Sequence, residues 1–286
     1  MELLQIKYFK VIAETENISK AAEQLYIAQP SLSQTLKRLE DELGTPLFDR
    51  TGKRITLNGA GKIFLKYCNE VLTSLQNAKL ELDEYKGGGQ WNVNIAVESA
   101  SLLISEIVSN IRESFLNIMP HIFQSSCTEW DLRIYSDYNQ NRDNILLKEP
   151  IGVVFPQNHF LADKRSITIS DLEKCAFISL GKSCNLYNII THFCENASFT
   201  QNISMYVDSP SLMRELLKMN MGVAFVPQYT WYSFYNGFLE FRTVKDMLMS
   251  RSVRIAENEK KYAASAVKNC RNIIEDYFVE YIRQFE

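Results

Sequence analysis

Ser33, Gln34, Lys37 and Arg38 lie close together in the chain, and their types suit nucleic acid. A hydroxyl and an amide can meet base edges in a major groove, glutamine pairing best with adenine, while cations behind them neutralise phosphates. Gln29, Pro30 and Ser31 stand just before this group, and Arg50, Lys53 and Arg54 follow it. Residues 29–38 and 50–66 together carry seven Lys or Arg and no Asp or Glu. A solvated helix face normally mixes both signs, so this one-sided charge points to a phosphate backbone. Catalytic chemistry has no comparable cluster. His121, His159 and His192 are scattered, and there is no nucleophile elbow, phosphate-cradling glycine loop or metal-ligand spacing. These patterns predict no enzyme, no metal and no cofactor.

The spacing of apolar residues gives the elements that would hold the cations. Leu32, Leu36, Leu39 and Leu43 recur at helical steps and predict a buried face, which leaves Pro30, Ser33, Gln34, Lys37 and Arg38 opposite. Pro30 suits the opening of that helix, where its missing amide costs nothing, and Gly44 suits its end. Before it, Ser19 is the expected N-cap of a short helix carrying Ala21, Ala22 and Leu25, whose small residues allow close approach. Leu3, Leu4, Tyr8, Val11 and Ile12 predict a first helix. After it, Leu47 and Phe48 rejoin the core, Thr51-Gly52 makes a turn, and residues 54–57 return as a short strand. Residues 1–58 thus read as a winged helix-turn-helix, with Arg50, Lys53 and Arg54 around the turn of the wing.

Residues 59–88 read as one long helix and a hinge. Phe64, Cys68, Val71, Leu75, Ala78, Leu82 and Tyr85 keep a heptad spacing, and about 28 residues span roughly 42 Å at 1.5 Å per residue. So long and one-sided a helix asks for a partner, and the simplest is a second copy of itself. The expected assembly is a homodimer with two heads on one double-stranded DNA. Packing against the rest of its own chain is the plainer alternative. Gly87-Gly88-Gly89 then breaks the helix.

Composition bounds the rest. The 286 residues are 46% hydrophobic and 23% charged, a globular balance that predicts two or three domains. The net charge of −3 does not by itself suggest a nucleic-acid binder. The acid surplus lies wholly after residue 86, however, so a basic face can sit locally on an acidic protein. No apolar run approaches the roughly 18 residues of a membrane span, and the N-terminus is unlike a signal peptide, which predicts a cytoplasmic protein. The six cysteines show no CxxC and are expected as free thiols.

From residue 89 the pattern alternates. Strands at WNVNIAV, HIFQSS, DLRIY and IGVVF and a helix around Ile107 form a first half. CAFISL, NISMYV and GVAFVP, with helices near 185–195 and 211–219, form a second. This predicts parallel α/β layers in a bilobal domain, 89–286, with lobe I at about 89–160 and 258–286 and lobe II at about 161–257. Ligands bind such sheets beyond strand C-termini, where helix N-termini offer free amides. Ser99, Ala100 and Ser101 after one strand, and Asp208, Ser209 and Pro210 after another, meet that description and predict a small anionic or zwitterionic effector. Each group is equally a good helix cap.

The string SKAAEQLYIAQPSLSQTLKRLEDELGTPLFDR, followed by ITLNGAG, also carries a resemblance. Its paired alanines, Gln-Pro-x-x-Ser opening, Leu-Glu pair, Gly-x-x-Leu-Phe-x-Arg and Leu-x-x-Ala-Gly resemble the N-terminal domain of LysR-type transcriptional regulators. The resemblance implies that Gln29, Pro30, Ser33 and Gln34 face bases and that Lys37, Arg38, Arg50 and Arg54 face the backbone. It also implies a dimerising linker helix and an effector domain with the fold of type 2 periplasmic-binding proteins, and the homodimer is expected to pair further into a homotetramer. Thr128 becomes a third effector candidate, although CTEW is too short for a helix the family usually carries there. Ala28 departs from the capping Ser or Thr of the family. His159 matches the crossover between lobes. Cys184 and Cys194 resemble the switch pair of the peroxide-sensing branch, ten residues apart here instead of nine, and give a thiol-based redox sensor as the alternative reading.

Overall fold

The structure is a computed structural model. It describes every residue except Gly52, Lys53, Gly88, 125–128 and 140–142, and the side chains of Arg50, Thr51 and Arg54 are likewise not described. The chain divides into two compact units, Met1–Gly87 with Glu259–Tyr262, and Gly88–Asn258 with Ala263–Glu286.

The first unit opens with α1 (Leu3–Thr15), α2 (Ile18–Gln24) and α3 (Gln29–Leu43). Helix α1 turns Ile6, Phe9, Ile12 and Ala13 inward and leaves Leu3 and Leu4 exposed. The expected stripe was therefore off by part of a turn, because Ile6 and Phe9 outcompete the terminal leucines for the core. Asn17, not Ser19, caps α2, its side chain accepting from the Lys20 amide at 3.0 Å. Leu32, Leu36 and Leu39 of α3 are buried as expected, but Leu43 lies in the last turn and stays exposed. Gly44 ends that helix in the left-handed conformation, φ 69°.

The wing is a hairpin of β1 (Phe48–Thr51) and β2 (Arg54–Leu57), paired antiparallel. Two carboxylates pin it to the helices: Leu57 N donates to Glu16 Oε1 at 2.9 Å, and Leu47 N to Glu40 Oε1 at 2.7 Å. Helix α4 (Gly59–Tyr85) follows, its Asn58 cap accepting from Gly61 N at 2.8 Å. Gly61 is required by space, since a Cβ there would stand 2.2 Å from the Leu47 carbonyl oxygen. Phe64 and Cys68 pack into this unit's own core, Phe64 against the Phe9 ring at 5.0 Å. Burial pushes the Cys68 thiol up to about 11. The exposed apolar stripe of α4 instead starts at Ile63 and Tyr67 and runs on through Val71, Leu75, Leu82 and Tyr85.

The second unit contains β3 (Trp91–Val97), a 3-10 turn at Ser101–Leu103, α5 (Ile104–Ser114), β4 (Ile118–Phe123), β5 (Leu132–Asp137) and β6 (Ile145–Pro156). Next come α6 (Ile169–Leu172), β7 (Phe177–Leu180), α7 (Asn185–Asn196), β8 (Ile203–Val207), α8 (Pro210–Lys218), β9 (Ala224–Pro227) and α9 (Tyr232–Tyr235). The unit ends with β10 (Leu239–Arg242), β11 (Met249–Glu257), α10 (Ser265–Ile282) and a 3-10 turn at Arg283–Phe285. One sheet runs β10-β6-β11-β5-β3-β4 with β9 also on β6, and β7 pairs β8 separately.

The expectation of parallel layers holds only in part. β3 is parallel to β4 and β5, and β7 to β8, but β11 is antiparallel to β5 and β6, and β6 to β9 and β10. Strand β6 leaves the first lobe and β11 returns to it, so the two strands form the connection between lobes. The returning strand escaped the sequence reading because MSRSVRIAE buries Arg251, Ser252 and Arg254 along with Val253 and Ile255, which hides any apolar alternation. Among the described residues no helix intervenes between β4 and β5.

Candidate nucleic-acid interface and ligand cleft

Helix α3 presents its polar side as expected. Gln29, Pro30, Ser31, Gln34, Lys37 and Arg38 are exposed and Ser33 is half-buried, while Leu32, Leu36 and Leu39 face the core. The N-cap Ala28 makes no side-chain cap bond, so the first turn holds its backbone N–H groups uncapped behind Pro30. Glu40 and Glu16 are committed to the wing backbone, which keeps two nearby carboxylates tied to protein donors. Lys53 lies outside the described residues, and so do the side chains of Arg50 and Arg54. Tyr26, in the turn between α2 and α3, is 95% exposed at φ 54° and was passed over in the sequence. An aromatic next to a helix start gave no periodic signal.

In the second unit, a cavity of about 270 Å³ opens beyond the ends of β3 and β8. Ser99, Ala100, Ser101 and Asp208 line it, with Glu98, Gln124, Leu180, Gly181, Ser183, Cys184, Leu186, Pro210, Trp231 and Arg251. The two predicted groups are thus brought to one cavity from opposite lobes. Ser209 is not among the lining residues; its hydroxyl accepts from Leu212 N at 3.3 Å and caps α8. Ala100 adopts φ 59°, a left-handed conformation that costs an alanine about 1 kcal/mol or more, and it brings Ser99 and Ser101 to either side of the bend. Thr128 and Cys127 lie outside the described residues.

Sequence reasoning missed the buried polar network behind Arg251, which lines the cavity. Glu149 on β6 and Arg251 on β11 are cross-strand partners, both buried, with Arg251 Nε 2.8 Å from Glu149 Oε1. Glu149 also accepts from Tyr229 N, Thr230 N and Thr230 Oγ1 at 2.8–2.9 Å. Arg251 Nη2 donates to Thr230 Oγ1 at 2.8 Å and Nη1 reaches Ser136 Oγ at 3.4 Å. The Ser136 and Ser99 hydroxyls are 2.7 Å apart. Isolated polar residues between apolar neighbours gave no motif.

The two cysteines of the redox alternative bound one helix. Cys184 is the N-cap of α7 and Cys194 is buried near its other end. Ten residues of helix separate their Cα atoms by roughly 15 Å, against the roughly 7 Å limit for a disulfide. Burial, and then the Glu195 charge, push the Cys194 thiol up to about 12, so its thiolate is scarce near neutrality. The five described cysteines are free thiols.

Comparison with known proteins agrees with the geometry. Residues 3–62 match the family described as "Bacterial regulatory helix-turn-helix protein, lysR family", and residues 131–279 match the "LysR substrate binding domain". The chain belongs to the LysR family. It is a LysR-type DNA-binding transcriptional regulator with an effector-binding domain. Its relatives include AlsR of Bacillus subtilis, 30% identical over 79% of this chain and 80% of AlsR. Two solved LysR-type structures share the fold. Full-length CbnR in complex with its target DNA has a TM-score of 0.59 at 18% identity, covering 99% of each chain. The effector-binding domain of QuiR in complex with shikimate has a TM-score of 0.55 at 20% identity, covering 67% of this chain and 99% of that one. Among the described residues, no helix of this LysR regulator is long and apolar enough to cross a membrane.

Proposed function

We propose that the exposed face of α3 reads base edges through Gln29, Pro30, Ser31, Ser33 and Gln34. Lys37 and Arg38, with Arg50, Lys53 and Arg54 of the wing, hold the phosphates. The observation that carries this reading is the division of α3 into a buried leucine face and an exposed face without a carboxylate from Gln29 to Arg38. Val71, Leu75, Ala78 and Leu82, joined by Ile63 and Tyr67, form the stripe through which α4 pairs with a second copy. Such pairing gives two-fold symmetric reading of half-sites about one helical turn or a multiple apart.

A small effector occupies the cavity between Ser99, Ala100, Ser101 and Asp208 and shifts the regulator between two arrangements. It can do so only by its differential affinity for them. The protein works as a cytoplasmic regulator without catalysis, consistent with relatives that are regulators. The test measures affinity of the full chain for a DNA site selected from random sequence, with and without a panel of small metabolites. A metabolite that changes DNA affinity, and also the fluorescence of Trp231 on the cavity wall, supports the reading. Loss of the DNA effect without loss of fluorescence change would uncouple the cavity from the head.

A further inference from the structure

Arg251 sits on the strand that returns between the lobes, and its guanidinium bonds to both of them: Ser136 on one side, Thr230 on the other. A guanidinium carries five N–H donors. Three are used, toward Glu149, Thr230 and, at the long distance of 3.4 Å, Ser136. One hydrogen on each terminal nitrogen therefore has no acceptor among the described residues, although only 3% of the residue is exposed. Glu149 cannot supply one. Its four bonds, to Arg251, Tyr229 and twice to Thr230, use the roughly four lone-pair sites of a carboxylate. A buried cation with spare donors at a cavity wall is a receptor for a planar anion, because parallel N–H groups suit a carboxylate's two oxygens.

Resting on the reading of this cavity as the effector site, we propose that Arg251 anchors the effector's acid group and that the effector is a small monocarboxylate. Charge on the wall sets the limit to one negative group. Glu98 is held by Arg133 Nε and Nη2 at 2.8 and 2.7 Å, but Asp208 has no partner among the described residues and repels a second anionic group. Leu180, Leu186 and Trp231 receive an uncharged remainder. A ligand held here binds a residue already bonded to both lobes, so its binding energy depends on how the lobes are set.

The test titrates the full chain with butyrate and with succinate, which share a four-carbon chain and differ by one charge. Butyrate binds saturably at one site, and succinate binds at least about tenfold more weakly, because its second carboxylate is desolvated beside the Asp208 charge. Arg251→Met alone strands Glu149, so the decisive variant is the pair Glu149→Gln with Arg251→Met. It removes both charges while the amide keeps partners for Thr230 and the backbone. Its butyrate affinity falls at least about tenfold, while its melting profile stays far closer to wild type than that of Glu149→Ala. Gly181→Leu, where an added Cβ meets nothing within 4 Å, fills the cavity and abolishes binding. Butyrate binding kept by the paired variant but lost in Gly181→Leu overturns the anchor and leaves the cavity reading standing. Binding kept in both overturns the cavity as well. Failure of wild type to bind butyrate, or tighter binding of succinate, overturns the monocarboxylate class.

Discussion

Removing one partner of the Glu149–Arg251 pair should destabilise the second unit far more than an ordinary surface substitution. In Glu149→Ala, the Arg251 cation stays in place with its side chain 2% exposed, and the amides of Tyr229 and Thr230 lose their acceptor. Because Glu149 itself is 0% exposed, water cannot take over its role without opening the fold. Breaking such a pair from one side costs about 3–5 kcal/mol, a large share of the roughly 5–15 kcal/mol that holds a domain together. With a urea slope of about 2 kcal/mol per M, the midpoint should fall by roughly 1.5–2.5 M. Tryptophan fluorescence reads this without interference from the head, since Trp91, Trp130 and Trp231 all lie in the second unit. The paired Glu149→Gln, Arg251→Met variant should recover most of the loss, as neither charge then remains unpaired. A midpoint shift below about 0.5 M for Glu149→Ala, corresponding to about 1 kcal/mol, would refute the buried-pair reasoning.

Three further outcomes follow from the same geometry. Ala28→Ser should supply the missing cap of α3 and stabilise the first unit by about 0.5–1 kcal/mol, read by far-UV melting; no gain would mean the first turn is held by other means. Leu75→Glu should shift the full chain to a smaller mass by light scattering, because a carboxylate would enter the apolar stripe of α4. Asp171 is held down to about 2, first by Lys164 at 2.8 Å and then by the Thr168 amide and hydroxyl. Since that value lies below its ordinary 3.8, its stabilisation is present above the unfolded value and lost as pH falls toward about 2. In Asp171→Asn this portion of the stability profile should flatten.

Much of the head was legible because its signals are local. Leucines at helical steps, Pro30 at a helix start and Gly44 after its end each carry their cause within a few residues. The errors there were of phase: Asn17 took the cap from Ser19, and Phe64 turned into the core while Ile63 and Tyr67 extended the exposed stripe. The two walls of the cavity were legible for the same local reason, as helix openings after strands. The buried network behind Arg251 was not. Glu149 and Arg251 are 102 residues apart, and only the antiparallel register of β6 and β11 brings them together. A buried arginine inside a strand looks like surface until its partner is placed, and that concealed β11 along with the cleft's charged centre.

The assignment of α3 as the base-reading helix is tested most directly by selecting binding sites from random DNA with wild type, Gln34→Ala and Lys37→Ala. Gln34→Ala should lose preference at one position in each half-site, at about 1–3 kcal/mol of discrimination, and keep the others. Lys37→Ala should weaken all sequences alike and reduce the salt slope by about 1. Unchanged preferences in Gln34→Ala, together with an unchanged salt slope in Lys37→Ala, would contradict the account.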